Sequence, residues 1–272
     1  MRDIRNSDDA VVGIFVAILL IGLVITVFSM VQTQYVPQWL EQREYDHMHE
    51  VSYQFSQFKY SMDILTLTQQ GNAISTYMTL GISDLPFFDK GRTYDSLEIL
   101  PDSCIVNVSG QTDSLSFSLG TVKYSSGNSY FLDQSYIYEG GVMILSQSGE
   151  SLLHGKQFLT VNDNTNISFN IINITSFDGK STAFGFGTYS LYSEFVSSNT
   201  YTVYNVTNIN ITTDYSNAWR LFINSTNLIY SLLNYDIIDT DFGIRVEFSA
   251  PLGNMNLNVI EISTQIAPGW IE

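Results

Sequence analysis

Cysteine and basic residues are both scarce in this sequence. Cys104 is the only cysteine in 272 residues. A lone cysteine closes no internal disulfide, so an exported fold built from this chain would rely on packing alone. Cys104 lies in the apolar, strand-like run Cys104-Ile105-Val106-Asn107-Val108 and reads as a small buried hydrophobe rather than a reactive thiol. Lys and Arg number 11 against 27 Asp and Glu, a net charge of −16. From Gln70 onward, 7 basic residues face 19 acidic ones, leaving −12 on that part. A nucleic-acid partner needs a basic footprint and docking on anionic lipid needs a basic surface, so both are excluded. Catalytic signatures are missing as well. There is no G-x-S-x-G elbow and no G-x-x-x-x-G-K-[ST] phosphate loop. The chain therefore does not read as an enzyme, and no cofactor is expected.

What is present is an uncharged run, VVGIFVAILLIGLVITVFSMV, from Val11 to Val31. At ~1.5 Å per residue such a run makes a helix of ~30 Å, the thickness of a bilayer's hydrocarbon core. It predicts a continuous helix, apolar on every face and exposed all round on the isolated monomer. Before it lies MRDIRNSDDA, whose Arg2 and Arg5 favour a cytoplasmic N-terminus and leave the rest of the chain outside. The run is too long for the apolar part of a secretory signal, so it reads as retained. Gly13 and Ala17 form a small-xxx-small pair through which helices can approach closely. Tyr35 and Trp39 suit a water–lipid boundary, and Pro37 between them predicts a kink or restart.

The segment Asp8-Asp9-Ala10-Val11-Val12-Gly13, directly ahead of the apolar helix, resembles the N-terminus of archaeal type IV pilin-like proteins, with their class III signal. The resemblance covers roughly the first 65 residues. It implies processing between Ala10 and Val11 by a prepilin-type peptidase, and identical or related pilin-like subunits as partners beside the membrane. The competing expectation is an uncut, permanently anchored extracellular binding or envelope-scaffold protein.

Beyond Gln38 the pattern turns amphipathic. Tyr45, Met48, Val51, Phe55, Phe58, Met62 and Leu65 recur at spacings of three and four, while Glu41, Glu44, Asp46 and Glu50 fall off that stripe. The stripe suits either the chain's own β-domain or neighbouring subunits. Ile74 to Leu80 reads as a continuation of this helix before Gly81, and Asp84 to Gly91 as a linker. The remainder alternates like short strands: Leu97–Leu100, Cys104–Val108, Leu115–Leu119, Val122–Ser125, Tyr130–Asp133, then Tyr136–Tyr138 and Val142–Leu145 flanking a Gly140-Gly141 hairpin. Ser216 to Tyr235 predicts one amphipathic helix capped by Asp214 or Ser216, and Met255 to Ile266 a final strand. The expected class is α+β. A charged leader (1–10), a transmembrane or filament-core helix (11–35) and an amphipathic stalk (36–80) precede an extracellular head (81–272), a β-sandwich or jelly roll with one helix.

Two further sets of residues stand out. Asn107, Asn166, Asn173, Asn205, Asn210 and Asn224 open Asn-x-Ser/Thr acceptor triplets, which fit an exported glycoprotein. Asn205 and Asn210 are five apart, so a regular strand would face them oppositely; Asn210 is expected outside, and Asn205 only if a bulge near Asn208 resets the register. Asp236, Asp239 and Asp241, with Gly243, are weak candidates for a cation site. The closing bidentate Glu of a calcium loop is not reproduced there, and a solvated turn is the plainer reading. His47 and His49, two apart on a helix, point to different faces, and each reads as a surface histidine.

Overall fold

The computed structural model describes residues 5–83, 91–155, 159–163, 166–176, 181–226 and 234–267, with side chains described in these except at 5–11, 159–163, 166 and 226. The expected linker 84–91 and the residues Leu228, Ile229, Leu232 and Leu233 of the expected second helix lie outside the described residues, apart from Gly91. The fold is α+β: one long N-terminal helix, then a head made mostly of sheet with one short helix.

The long helix runs without interruption through α1 (Arg5–Met30), a π-helical turn (Val31–Tyr35) and α2 (Val36–Thr68). Pro37 has no N–H to give the carbonyl four residues back, and the ladder widens to π spacing directly ahead of it. The chain thus keeps its helical path past Pro37. From Val12 to Met30 every described side chain is exposed. The segment is long and apolar enough to cross a bilayer, and none of it is buried against the head. Gln69, in the left-handed region at φ +47°, ends α2 with its N–H on the Leu65 carbonyl at 3.0 Å.

The stripe on α2 packs against the chain's own sheet. Met48, Val51, Phe55, Phe58, Met62 and Leu65 are buried in one core with Met78, Leu97, Tyr124, Tyr136, Tyr138 and Ile262. Phe55 lies against Tyr136 and Phe58 against Tyr138, at ring separations of 5.8 and 5.6 Å. Tyr45, expected on this stripe, is instead exposed. The stripe also carries polar groups: Glu44, His47 and Gln54 are fully buried with it.

Ile74 to Leu80 corrects a second expectation. The helix does not continue there; Ala73–Leu80 is strand β1, paired antiparallel with β10 (Gly187–Thr212) from Ala73↔Glu194 to Leu80↔Gly187. Its burial alternates, with Met78 and Leu80 inside, so the apolar residues follow period two rather than 3.6.

The remaining strands are β2 (Asp95–Gly110), β3 (Ser114–Ser125), β4 (Gln134–Glu139), β5 (Val142–Gln147), β6 (Glu150–Gly155), β7 (Leu159–Asp163), β8 (Asn166–Ser176), β9 (Thr182–Gly185), β10 (Gly187–Thr212), β11 (Tyr235–Thr240) and β12 (Gly243–Ala267). They form one continuous sheet in the order β6-β5-β4-β3-β2-β10-β12-β8-β7, with β1, β9 and β11 at its flanks. The sheet curls back on itself. Gly140, beyond β4, bridges Ile172 of β8, and the Asn173 side chain of β8 accepts the Gly120 N–H of β3 at 3.0 Å. A Cβ at Gly120 would fall 2.0 Å from the Ile174 carbonyl oxygen, so only glycine allows this approach.

The curl creates a second core. Cys104, Val106, Leu119, Phe169, Ile211 and Met255 are buried there with Trp219 and Phe222 of α3 (Ser216–Thr226). Strand β4 separates the two cores: Tyr136 and Tyr138 face α2, while Ile137 faces α3. The β4–β5 hairpin is as expected, with Glu139↔Val142 closing a two-glycine turn at φ +59° and +98°. Tyr130–Asp133 is a loop, not a strand. The expected helix from Ser216 is described only to Thr226, and Tyr235 belongs to β11. Its first turn is capped from β6, where Ser151 Oγ accepts the Ala218 N–H at 3.1 Å.

Candidate functional site at the helix–head junction

The densest polar arrangement among the described residues joins α2 to the head. Asp95, the first residue of β2, is fully buried beside α2. Its Oδ2 accepts the Gly81 N–H at 2.7 Å and lies 2.9 Å from His47 Nε2, and its Oδ1 accepts the Gly127 N–H at 2.9 Å. The Tyr124 hydroxyl also donates to Asp95 Oδ2, and it lies 3.1 Å from His47 Nε2. Burial alone would raise the Asp95 pKa, but the bonds from His47, Tyr124, Gly127 and Gly81 outweigh it and hold the carboxyl below its ordinary value. Burial and the Asp95 charge push the Tyr124 phenol strongly up, so it stays a neutral donor.

One turn before His47, Glu44 makes a second clamp. Its carboxylate accepts the N–H groups of Ser129, Tyr130 and Phe131 at 2.6 to 3.1 Å, so the loop read as a strand is a backbone nest filled by a helix side chain. Two turns after His47, Gln54 reaches β1: its Oε1 accepts the Thr79 N–H at 2.8 Å and its Nε2 donates to Thr79 Oγ1 at 3.0 Å. Beside these three clamps opens a cavity of about 440 Å³, lined by Arg43, Asp46, His47, Glu50, Thr79 and Phe186 among others. Arg43 Nη1 is enclosed without a hydrogen-bond partner.

No family model, no curated protein and no solved structure matches this chain.

A third buried carboxylate, Glu139, lies in the α3 core. Its oxygens accept Thr213 Oγ1 at 2.6 Å, Trp219 Nε1 at 2.7 Å and Thr121 Oγ1 at 3.4 Å. Burial raises its pKa, and these donors only partly offset that. Burial, together with Glu139, also pushes the Cys104 thiol well up, so Cys104 sits in the core as an inert small side chain.

The other histidines form no catalytic set. His49 Nε2 lies 2.7 Å from the Tyr45 hydroxyl, and His154 Nε2 lies 3.4 Å from Ser52 Oγ, in a cavity of about 210 Å³. Among the described residues no carboxylate is hydrogen-bonded to His154. His47, read as a surface residue, is buried in the junction.

The residues singled out from sequence are scattered. Gly13 and Ala17 lie on the exposed apolar helix, and a Cβ at Gly13 would meet nothing within 4 Å. Ala10 and Val11 fall within α1. Asp236 and Asp239 are on β11 and Asp241 in the turn after it, and Asp239 is ion-paired to Arg220 of α3. No group of three potential metal ligands occurs among the described residues. Asn205 and Asn224 are exposed; Asn210, expected outside, is instead half-buried with its Oδ1 enclosed, Asn107 and Asn173 are half-buried, and the Asn166 side chain is outside the described residues. The junction itself was missed. Its one sequence signal is spacing: Leu40, Glu44, His47 and Val51 continue the three-and-four rhythm, which places two polar residues on the buried face.

Proposed function

We propose that this chain is a non-enzymatic surface protein resembling a type IV pilin-like subunit, held in a membrane or assembled into a filament through its N-terminal helix, with an acidic head outside the cell. The observation that carries this reading is the division of one continuous helix, Arg5 to Thr68, into two parts. Its first part is apolar on every side and has no partner in the monomer. Its second part is clamped into the head by Glu44, His47 and Gln54. A rigid head is thereby fused to a helix whose apolar surface still needs a lipid or protein environment. The polar groups of the junction are spent on each other and on backbone N–H groups, as suits a structural joint.

The test is the mature N-terminus. Mass spectrometry of protein from its own cells should find a chain beginning at Val11. A chain retaining Met1–Ala10 and residing in the membrane would instead support the second reading, a permanently anchored extracellular binding or envelope-scaffold protein. The open cavity beside His47 favours that alternative. If subunits assemble through the helix, Gly13→Leu should impair assembly while export survives; unchanged assembly would remove that contact.

A further inference from the structure

Five of the six acceptor asparagines have described side chains, and these five sort sharply by their surroundings. Asn107 of β2 and Asn210 of β10 are direct cross-strand partners, and Arg245 of β12 is the partner of Asn210 on its other side. Both asparagines are half-buried, and Asn210 Oδ1 is fully enclosed. Asn173 of β8 stands beside Glu261 of β12 and is engaged by the Gly120 N–H. In each case the asparagine side chain is half-buried among its neighbours on the sheet face, which leaves little room for a glycan.

Asn205 differs. Pairing of β10 with β2 ends at Val206↔Gly110, so among the described residues Asn205 has a neighbouring strand on one side only. The register shifts between Val206 and Asn208, and Val206 and Ile209 are both buried although three residues apart. Thr207 is thus the inserted residue that resets the alternation and turns Asn205 outward. Asn205 is exposed, with φ +51°, a backbone region that asparagine tolerates better than most residues. That backbone accounts for an asparagine there. Thr207, which completes the triplet, is half-buried and donates its hydroxyl to the Ser109 carbonyl at 3.1 Å, whereas the Asn205 side chain itself is exposed and free to carry a sugar. Asn224 is likewise exposed, near the end of α3 and away from the buried Trp219 and Phe222.

We infer that Asn205 and Asn224 carry N-linked glycans on this chain, and that Asn107, Asn173 and Asn210 do not. Modification joins the side-chain Nδ2 to the anomeric carbon of a sugar supplied as a lipid-phosphate donor. The carbon–oxygen bond to the phosphate breaks with its electron pair staying on the phosphate, and Nδ2 gives up one proton. The inference rests on the head being outside the cell.

Two measurements on the native protein separate the two statements. Protease treatment of intact cells reports where the head lies, and glycopeptide mapping reports which asparagines are occupied. We expect a protease-accessible head with sugar on Asn205 and Asn224, and an Asn205→Gln chain that migrates faster by one glycan. An accessible head with Asn205 or Asn224 bare, or with Asn107, Asn173 or Asn210 occupied, overturns the glycan assignment and leaves the surface reading standing. A head protected inside the cell overturns both.

Discussion

Asp95 and Glu139 are both buried carboxylates, and they make stability depend on pH in opposite directions. Asp95 has a folded pKa below its ordinary value. The unfolded chain therefore binds the proton first, and the stabilisation by Asp95 is complete above the ordinary aspartate range and lost as pH falls through the folded value. Glu139 has a folded pKa above its ordinary value. Here the folded chain holds the proton longer, so stability is greatest below the ordinary glutamate range and declines as pH rises through the folded value. Urea unfolding followed by tryptophan fluorescence across this range should show both. Asp95→Asn should lose the acid sensitivity and cost roughly 2–4 kcal/mol, because Gly81, Gly127, Tyr124 and His47 lose a shared charged partner. Glu139→Gln should flatten the opposite slope and stay within about 1 kcal/mol of the parent at neutral pH, since an amide oxygen can still accept from Thr213 and Trp219. Equal pH profiles for the parent and both variants would contradict this assignment.

At the scale of elements, the junction is the joint to challenge. Phe58 of α2 is fully buried against Tyr138 of β4, and Phe58→Ala should cost about 3–5 kcal/mol in the same measurement. Glu44→Ala leaves the N–H groups of Ser129, Tyr130 and Phe131 without their acceptor and should cost roughly 2–4 kcal/mol. It should also speed amide exchange at these three residues more than elsewhere; uniform exchange would mean the nest holds without Glu44. These elements show how far the sequence could be read. The apolar helix, the α2 stripe and the Gly140-Gly141 hairpin are each specified by local pattern and are found as expected, except that Tyr45 lies off the buried stripe and Glu44 on it. Ile74 to Leu80 misleads because a short apolar run after a helix has no period of its own until its pairing with β10 decides. Tyr130 to Asp133 is as apolar as a strand, yet its backbone N–H groups are claimed by Glu44, 85 or more residues away. The polar junction is illegible for the same reason. The partners of Glu44, His47 and Gln54 are set by tertiary packing, and no local rule marks a buried Glu or His.

For the whole molecule, the account holds that one helix serves two environments. Residues of the apolar half contribute nothing to the head's packing, so charges placed there should leave the head folded. A Leu19→Arg, Val24→Arg chain is expected to keep the near-ultraviolet circular dichroism of the parent. The most direct test is alkaline extraction of membranes from cells making either chain. The account predicts that the parent stays in the membrane pellet and the doubly charged chain is released as a folded, soluble head. A parent chain released by alkali, or a doubly charged chain that is still retained, would contradict it.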